Sequence, residues 1–506
     1  MAISLSTVLL AVTVPALAYW LYWRWANRRM LRLAAVVPGP PALPVLGNAL
    51  MFLTNTTGIV FKLVLAVGVT TVLLTAAVPA LAYWVYWWWT YRRMLRLATV
   101  VLGRPALPVL GNALMFLTNT SEQLQKIAKL FDEYGDYVRF WLGPELAIAV
   151  KNPTDIRTLL SSNKLNQKGP LYNLMKPFIG PGILSGGPTW RLHRKIVTPS
   201  YNKKSVQQFS KVFNSEAEQL VRVLRNKRSD TYDIYYDVLT CTTQCVCQTL
   251  MGLSKEDSMQ LPNLTEIVRK TQSMYNLIFK RMTLWWLQIP FIYWLTGHKK
   301  QQDHFFRLID DFTSIILEKR RKALKTEVVD EELRSVVDRL IQSGELNDQE
   351  IKHEMFTLFT TSQEAAAKIA AGVMMILAHL PDWQEKVYEE IQEVVGSSPV
   401  TESHIKELHY LDMVYKETLR YFSIAAFIQR TVEEEITIND SRVFATAMIK
   451  TIVVHVIRSV HLEADGVIDD IPLEVAISVR SANGYQVRSR VRKEQNGVKA
   501  NGVVHN

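Results

Sequence analysis

Cysteine is nearly absent: three occur in 506 residues, and Cys241, Cys245 and Cys247 crowd into one expected helix. A disulfide framework is therefore excluded. The three side chains read as small apolar core residues, and no metal site is assigned to them. Acidic residues are missing altogether from positions 1 to 104, where nine Lys or Arg stand (Arg24, Arg28, Arg29, Arg32, Lys62, Arg92, Arg93, Arg96, Arg104) and account for most of the net charge of +11. These cations flank apolar runs, which is the arrangement of membrane topology and not of phosphate binding, so no nucleic-acid partner is expected. A basic residue is also lacking before the first apolar run, which argues for an uncleaved anchor over a cleaved signal peptide. With 48% apolar and 21% charged residues the rest of the chain can bury a large core and is not a disordered polymer.

What is present first is a duplication. Residues 8 to 56 match residues 72 to 120 at 39 of 49 positions, at a constant offset of 64. Two copies of an anchor and a hinge cannot stack into a solenoid core, so a duplicated exon or a gene-model error explains the repeat better than a repeat architecture. Each copy opens on an uncharged stretch, 5 to 23 and 63 to 90, and ends in a Trp/Tyr cluster followed by arginines. A span needs about 20 apolar residues, and interfacial aromatics followed by cations mark its cytosolic end. If both segments crossed the membrane, one arginine cluster would lie on the wrong side. We expect one productive span, with residues 104 to 506 in the cytosol. The first copy carries the stiff hinge Pro38-Gly39-Pro40-Pro41, whereas the second has Leu102 and Arg104 where two of those prolines stood.

Beyond Ser121 the patterning is that of mixed, mostly helical structure. An amphipathic helix starts at Ser121-Glu122 with Leu124, Ile127, Leu130 and Phe131 on one face, and Tyr137 to Val150 reads as two strands around Gly143-Pro144. Helices are expected near 152–162, 189–195, 203–225, 231–252, 302–325, 346–379, 382–395, 403–421 and 443–459. Strands return near 434–439 and 473–492, with Asn483-Gly484 as a hairpin turn. The domains are then 1–58 and 59–120, the two anchor copies, and 121–506, the globular part.

Three stretches carry chemistry. The glycine-rich Gly180-Pro181-Gly182-Ile183-Leu184 precedes Trp190-Arg191-Leu192-His193-Arg194-Lys195. Trp190 and Arg194, four apart, share a helix face where an indole N–H and a guanidinium can grip one carboxylate. In Leu411-Asp412-Met413-Val414-Tyr415-Lys416-Glu417-Thr418-Leu419-Arg420, Glu417 and Arg420 lie one turn apart and can form a buried ion pair. The third stretch, Phe356 to Ala366 in the long helix ending at Pro381, holds Glu364 next to Ala365.

Together these residues resemble a cytochrome P-450, the haem-thiolate monooxygenase family, and most nearly its membrane-bound branch of fatty-acid omega-hydroxylases and insect enzymes. The resemblance runs from about residue 121 to 492. It implies a mainly α fold with small β sheets, here incomplete and preceded by N-terminal transmembrane segments. It also implies a haem whose propionates are held by Trp190, Arg194 and Arg430, and a structural pair Glu417 and Arg420. Glu364 falls at the acid that relays protons to dioxygen. Ala365 stands where the family has the relaying threonine, and a methyl group cannot relay a proton. Thr361 falls where some members esterify a glutamate to haem, so no covalent link is expected. Family prolines are replaced by Ser423-Ile424-Ala425-Ala426.

Glu435 to Asp440 matches the segment after the Glu-x-x-Arg helix, and Phe444 to Lys450 matches the helix that follows the family's cysteine. Only Ser441, Arg442 and Val443 stand between them. The strand, the meander that locks Glu417 with Arg420, and the cysteine loop are missing from that place. A thiolate both anchors the iron and pushes electron density onto it. His455 and His461 follow the gap and read as packing residues. The resemblance implies NADPH-dependent oxidation of a lipophilic small molecule or fatty acid, with electrons from a membrane reductase, at the endoplasmic reticulum. Without the cysteine the chain is expected to be inactive as written. The alternative is a non-catalytic, degenerate membrane protein or the product of a faulty gene model. Leu284-Trp285-Trp286 and Phe291-Ile292-Tyr293-Trp294 fit a membrane-facing substrate entrance or ordinary core packing.

Overall fold

The computed structural model describes most of residues 82–492; residues 1–81, 327–333, 433–445, 493–506 and scattered positions between them are outside the described part. The chain divides into two compact units, Met1–Leu102 and Gly103–Asn506. In the first, the described residues between 82 and 99 are helical. Trp88 and Trp89 are exposed there, and the Arg92 guanidinium lies 5.0 Å from the Trp89 ring centroid. The first anchor copy with its candidate span 5–23, and most of the second candidate span 63–90, lie outside the described residues. Among those described, no single helix is long and apolar enough to cross a membrane.

Among its described residues the second unit is mainly helical with three small antiparallel sheets. Helix α1 (Thr120–Tyr134) is capped by Asn119, whose side chain accepts from Glu122 N. Its Leu130 is buried, with Leu124, Ile127 and Phe131 half-buried beside it. Strands β1 (Tyr137–Leu142) and β2 (Glu145–Val150) pair from Tyr137 opposite Val150 to Leu142 opposite Glu145. Helices α2 (Pro153–Ser161), α3 (Trp190–Val197), α4 (Lys203–Arg225), α5 (Tyr235–Thr249), α6 (Leu264–Thr283), α7 (His298–Ala323) and α8 (Val336–Gln342) follow. Then come α9 (Asp348–His379), α10 (Pro381–Val394), α11 (His409–Tyr421) and α12 (Thr446–Ser459). Strand β3 (Tyr232–Asp233) pairs with β7 (Gln486–Val491), which also pairs with β4 (Val460–Glu463); β5 (Leu473–Val475) pairs with β6 (Val479–Ser481).

Helix α9 organises the unit. It starts in a capping box, with Asn347 Oδ1 accepting from Glu350 N at 3.0 Å and the Glu350 carboxylate accepting from Asn347 N at 2.9 Å. It stops at Leu380, because the residue before Pro381 is pushed out of the helical region, and Pro381 then opens α10 at an angle of 115°. Between those ends α9 is apolar nearly all round, so it is buried on every side. One core packs its C-terminal half against α4, α5, α10, α11 and α12 through residues such as Leu220, Leu224, Phe422, Val453 and Ile457. A second packs its N-terminal half against α6 and α7, where Phe312 and Phe359 meet at 4.8 Å between ring centroids. Truncating either ring to Ala would cost about 3–5 kcal/mol.

The structure departs from the sequence expectations at several places, four of which bear on the core and the sheets. The expected helix 403–421 is two, Glu402–Glu407 and α11, because Leu408 (φ −81°, ψ 83°) turns fully into the core. Helix α6 was not foreseen: Asn263 before it sits at φ +60° and offers no side-chain cap, so the usual start signal is silent. Asn483-Gly484 does not close a hairpin, since β6 pairs with β5 while β7 pairs with β3 and β4. Gly484 (φ +78°) lets the backbone cross Asp233, whose Oδ1 accepts from Tyr235 N and Tyr485 N; an added Cβ would lie 2.5 Å from Asp233 Oδ2. Finally, β4 directly follows α12 where no strand was expected. The expected strand at 434–439 and the Ser441-Arg442-Val443 junction lie outside the described residues.

Candidate functional site

Helix α3 is held at its buried face. His193 Nδ1 lies 2.8 Å from Glu354 Oε1 on α9, both side chains being almost wholly buried. The same oxygen accepts from Ile183 N at 2.9 Å, so the glycine-rich loop and α3 are tied to one carboxylate. A Cβ at Gly182 would fall 1.4 Å from Glu354 Oε1, so a larger residue there would displace this carboxylate. On the same helix Trp190 is half-buried and Arg194 exposed. Sequence reasoning quoted His193 but assigned nothing to it, and passed over Glu354; a buried-type His in an otherwise basic helix was the available signal.

Arg430 meets a residue that sequence reasoning missed. Lys168 and Arg430 form a backbone bridge, and the neighbouring Gln167 bridges Gly186, just before α3. Thr431 N donates to Gln167 O at 3.0 Å and Gly169 N to Gln429 O at 3.2 Å. One short extended segment therefore joins Arg430 to the loop that leads into Trp190. Among the described residues neither Lys168 nor Arg430 has a carboxylate partner. Burial, with the Arg430 charge beside it, brings the Lys168 ammonium down to about 8, and burial also lowers Arg430. Two half-buried cations facing one another without an anion are a ready receptor for a carboxylate or phosphate. Where the family's prolines are replaced, Ala425 takes φ +53°, unusual for a residue with a Cβ.

Glu417 and Arg420 pair, with Arg420 Nε to Glu417 Oε2 at 2.8 Å and Nη2 to Oε1 at 2.5 Å. They do so at the surface, with side chains 55% and 70% exposed, and not in the interior as expected. Nothing among the described residues covers them, so the pair is worth about 0–1 kcal/mol. Glu364 lies in the middle of α9, buried to 6% exposure, and its Oε1 is 2.7 Å from Lys368 Nζ, itself 7% exposed. The contact is an ion pair by distance, outside hydrogen-bond alignment. Lys368 Nζ also donates to Ser478 Oγ at 2.9 Å. Ala365 is half-buried beside Glu364. N-terminal to it on α9, an apolar crevice is lined by Phe178, Met274, Tyr275, Phe305, Phe356 and Thr360.

The three cysteines project from α5 into the cores and are wholly buried. Burial pushes the Cys247 thiol up to about 12, and hydrogen bonding with Cys241 together with burial raises Cys245 well above its ordinary value. His455 is also committed: Nε2 lies 2.7 Å from Asn214 Oδ1 and Nδ1 3.2 Å from Arg458 Nη2. Burial and the Arg458 charge lower it to about 4. His461 is half-buried in β4, opposite Arg490. Among the described residues no group of three or more His, Cys, Asp or Glu could hold a metal ion.

A long apolar helix at the centre of a helical unit, small antiparallel sheets, and a glycine loop leading into a Trp-x-x-x-Arg helix make a large, α-rich architecture. The cytochrome P450 family matches residues 102–463, and the chain belongs to it. It is a family of oxidoreductases, haem-thiolate monooxygenases whose electrons come from NADPH through a reductase. The chain is 29% identical over 401 residues to cytochrome P450 4d2 of Drosophila melanogaster, covering 74% of this chain and 79% of that protein. It is 27% identical over 376 residues to cytochrome P450 4d1 of the same organism, covering 69% and 73%. To cytochrome P450 4V2 of Mus musculus it is 28% identical over 362 residues, covering 67% and 68%.

Lys168, Arg430, Trp190 and Arg194 are suited to anionic carboxylates such as haem propionates. The iron is a different matter: every cysteine of the chain is in α5, with Cys245 and Cys247 held as thiols by their surroundings, and His455 is locked to Asn214 and Arg458. The residues present do not fit a thiolate-ligated iron.

Proposed function

We propose that the chain is a monooxygenase relative, built to oxidise a lipophilic small molecule or fatty acid with NADPH-derived electrons from a reductase, and that as written it is inactive. One observation carries this reading: the only three thiols are wholly buried in one helix, where two of them are pushed well above the range in which a thiolate forms. Trp190, Arg194, Lys168 and Arg430 remain as an anion-binding frame without an iron ligand. That no described residue covers Glu417 and Arg420 agrees with a removed block next to Ser441-Arg442-Val443.

Residence at the endoplasmic reticulum membrane, with residues 104 to 506 in the cytosol, is part of the same reading. It is supported by the one-turn helix Pro290–Leu295, where Phe291, Trp294 and Leu295 are 64–66% exposed and Lys299 and Lys300 follow. Aromatic and aliphatic side chains beside cations favour a bilayer surface. The other reading, a degenerate or mis-assembled gene product, is favoured by the duplicated anchor.

A carbon-monoxide difference spectrum of the full-length protein, expressed in membranes with added haem, tests the reading. The band of a thiolate-ligated haem is expected to be absent, and its appearance overturns the assignment of inactivity. Sequencing the transcript across Asp440 to Phe444 separates a real loss from a faulty gene model, because an in-frame segment with a cysteine would restore the enzyme. Protease protection of the globular part in sealed microsomes would refute its cytosolic placement.

A further inference from the structure

Lys368 stands one turn after Glu364 in the most buried helix of the protein, and each of the two charges is more than nine-tenths buried. A lone ion there would be strongly destabilising, so the partners must be considered together. Lys368 Nζ reaches Glu364 Oε1 at 2.7 Å and Ser478 Oγ at 2.9 Å, and Ser478 belongs to the turn between β5 and β6. Three tyrosines lie within electrostatic reach of the carboxylate. Tyr235, Tyr275 and Tyr485 are all raised above their ordinary value, by burial first, with the negative charge of Glu364 adding to it in each case. The Tyr485 hydroxyl has no hydrogen-bond partner. Glu364 thus sits in a buried place among tyrosines, with the Lys368 ammonium 2.7 Å from its Oε1.

We propose that Lys368 is a built-in counter-ion that holds Glu364 ionised and immobile, so that this carboxylate acts as an internal clasp between α9 and the β5–β6 turn and not as a mobile proton donor. The inference rests on the family reading only for the contrast with a relay acid. The clasp itself uses no haem and no substrate. A proton relay requires a carboxyl that can take up and release a proton while swinging between donor and acceptor. An ammonium at 2.7 Å opposes both, since it favours the charged form and fixes the oxygen. Together with the methyl of Ala365, the pair removes the acid and the alcohol of the relay at adjacent positions.

Infrared difference spectra of the full-length protein test this, with E364Q used to identify the Glu364 bands. In the parent chain the Glu364 signal is expected to be that of a carboxylate. In K368M, at the same neutral pH, a protonated carboxyl band should appear that is missing from K368M/E364Q, while K368R should keep the carboxylate band. Either single change, K368M or E364Q, should raise the unfolded-to-folded ratio by about a hundredfold or more, and K368M/E364L should recover most of the loss. A protonated Glu364 in the parent chain, or no protonated band in K368M, overturns the proposal. If K368M does not accumulate as folded protein, folding of K368M/E364L supports the clasp and failure of both overturns it. None of these readouts depends on a haem band, so they separate failure of the clasp from failure of the inactivity reading.

Discussion

Removing the Glu354 carboxylate should loosen α3 and the glycine-rich loop together. Oε1 of Glu354 accepts from Ile183 N at 2.9 Å and meets His193 Nδ1 at 2.8 Å, with both side chains shielded from water. In E354A the half-buried Ile183 N–H and the buried His193 ring lose their contact to α9, and each unsatisfied group costs about 1–3 kcal/mol. Part is returned, because Glu354 Oε2 has no partner in the folded state and its burial cost disappears with the side chain. The net expectation is a loss of about 3 kcal/mol. E354Q keeps an oxygen acceptor at the same place and should lose about 1 kcal/mol. Urea unfolding of the full-length chain in detergent measures both, with a shift in midpoint at constant slope. Hydrogen exchange adds a local readout: amides of Trp190–Val197 should lose protection in E354A more than those of α12. A loss below about 0.5 kcal/mol in E354A, or equal losses in E354A and E354Q, would refute the reasoning.

Arg420→Ala should change stability by less than about 1 kcal/mol in the same unfolding assay, since the pair with Glu417 is solvated; a loss of 3 kcal/mol or more would mean that something covers it. His455 gives a pH dependence. Its folded value lies at about 4 against 6.5 when unfolded, so the unfolded chain binds more protons between those values. Its contribution, about 3 kcal/mol, is complete above pH 6.5 and is lost as the pH falls toward 4. H455Q should flatten the stability profile in that window, and an unchanged slope would count against it. Finally, an aromatic disulfide reagent should label none of Cys241, Cys245 and Cys247 in the folded protein and all of them in denaturant; rapid labelling of the folded protein would place a thiol in a different setting.

Local sequence determined much of this protein. Helix α4 begins and ends where its pattern and the Asn202 cap require, and α9 runs from its capping box to Pro381 because both stop signals are local. The family is likewise legible in text such as Trp190 to Lys195 and Leu411 to Arg420, since those residue types at those spacings do not depend on knowing the fold. The scarcity of cysteine is a property of the sequence alone, and so is its confinement to α5. Tertiary structure decided which charges are paired and which are alone. Lys168 and Arg430 are 262 positions apart, and backbone bridging makes them neighbours, with no carboxylate partner among the described residues. Glu417 and Arg420 look like a buried pair in one dimension, yet whether an ion pair is buried depends on what lies above it. Glu364 and Lys368 are one turn apart in the sequence, but their isolation from water comes from the elements packed round α9. Burial is a property of neighbours distant along the chain, and it is burial that turns a common helical pair into an internal clasp.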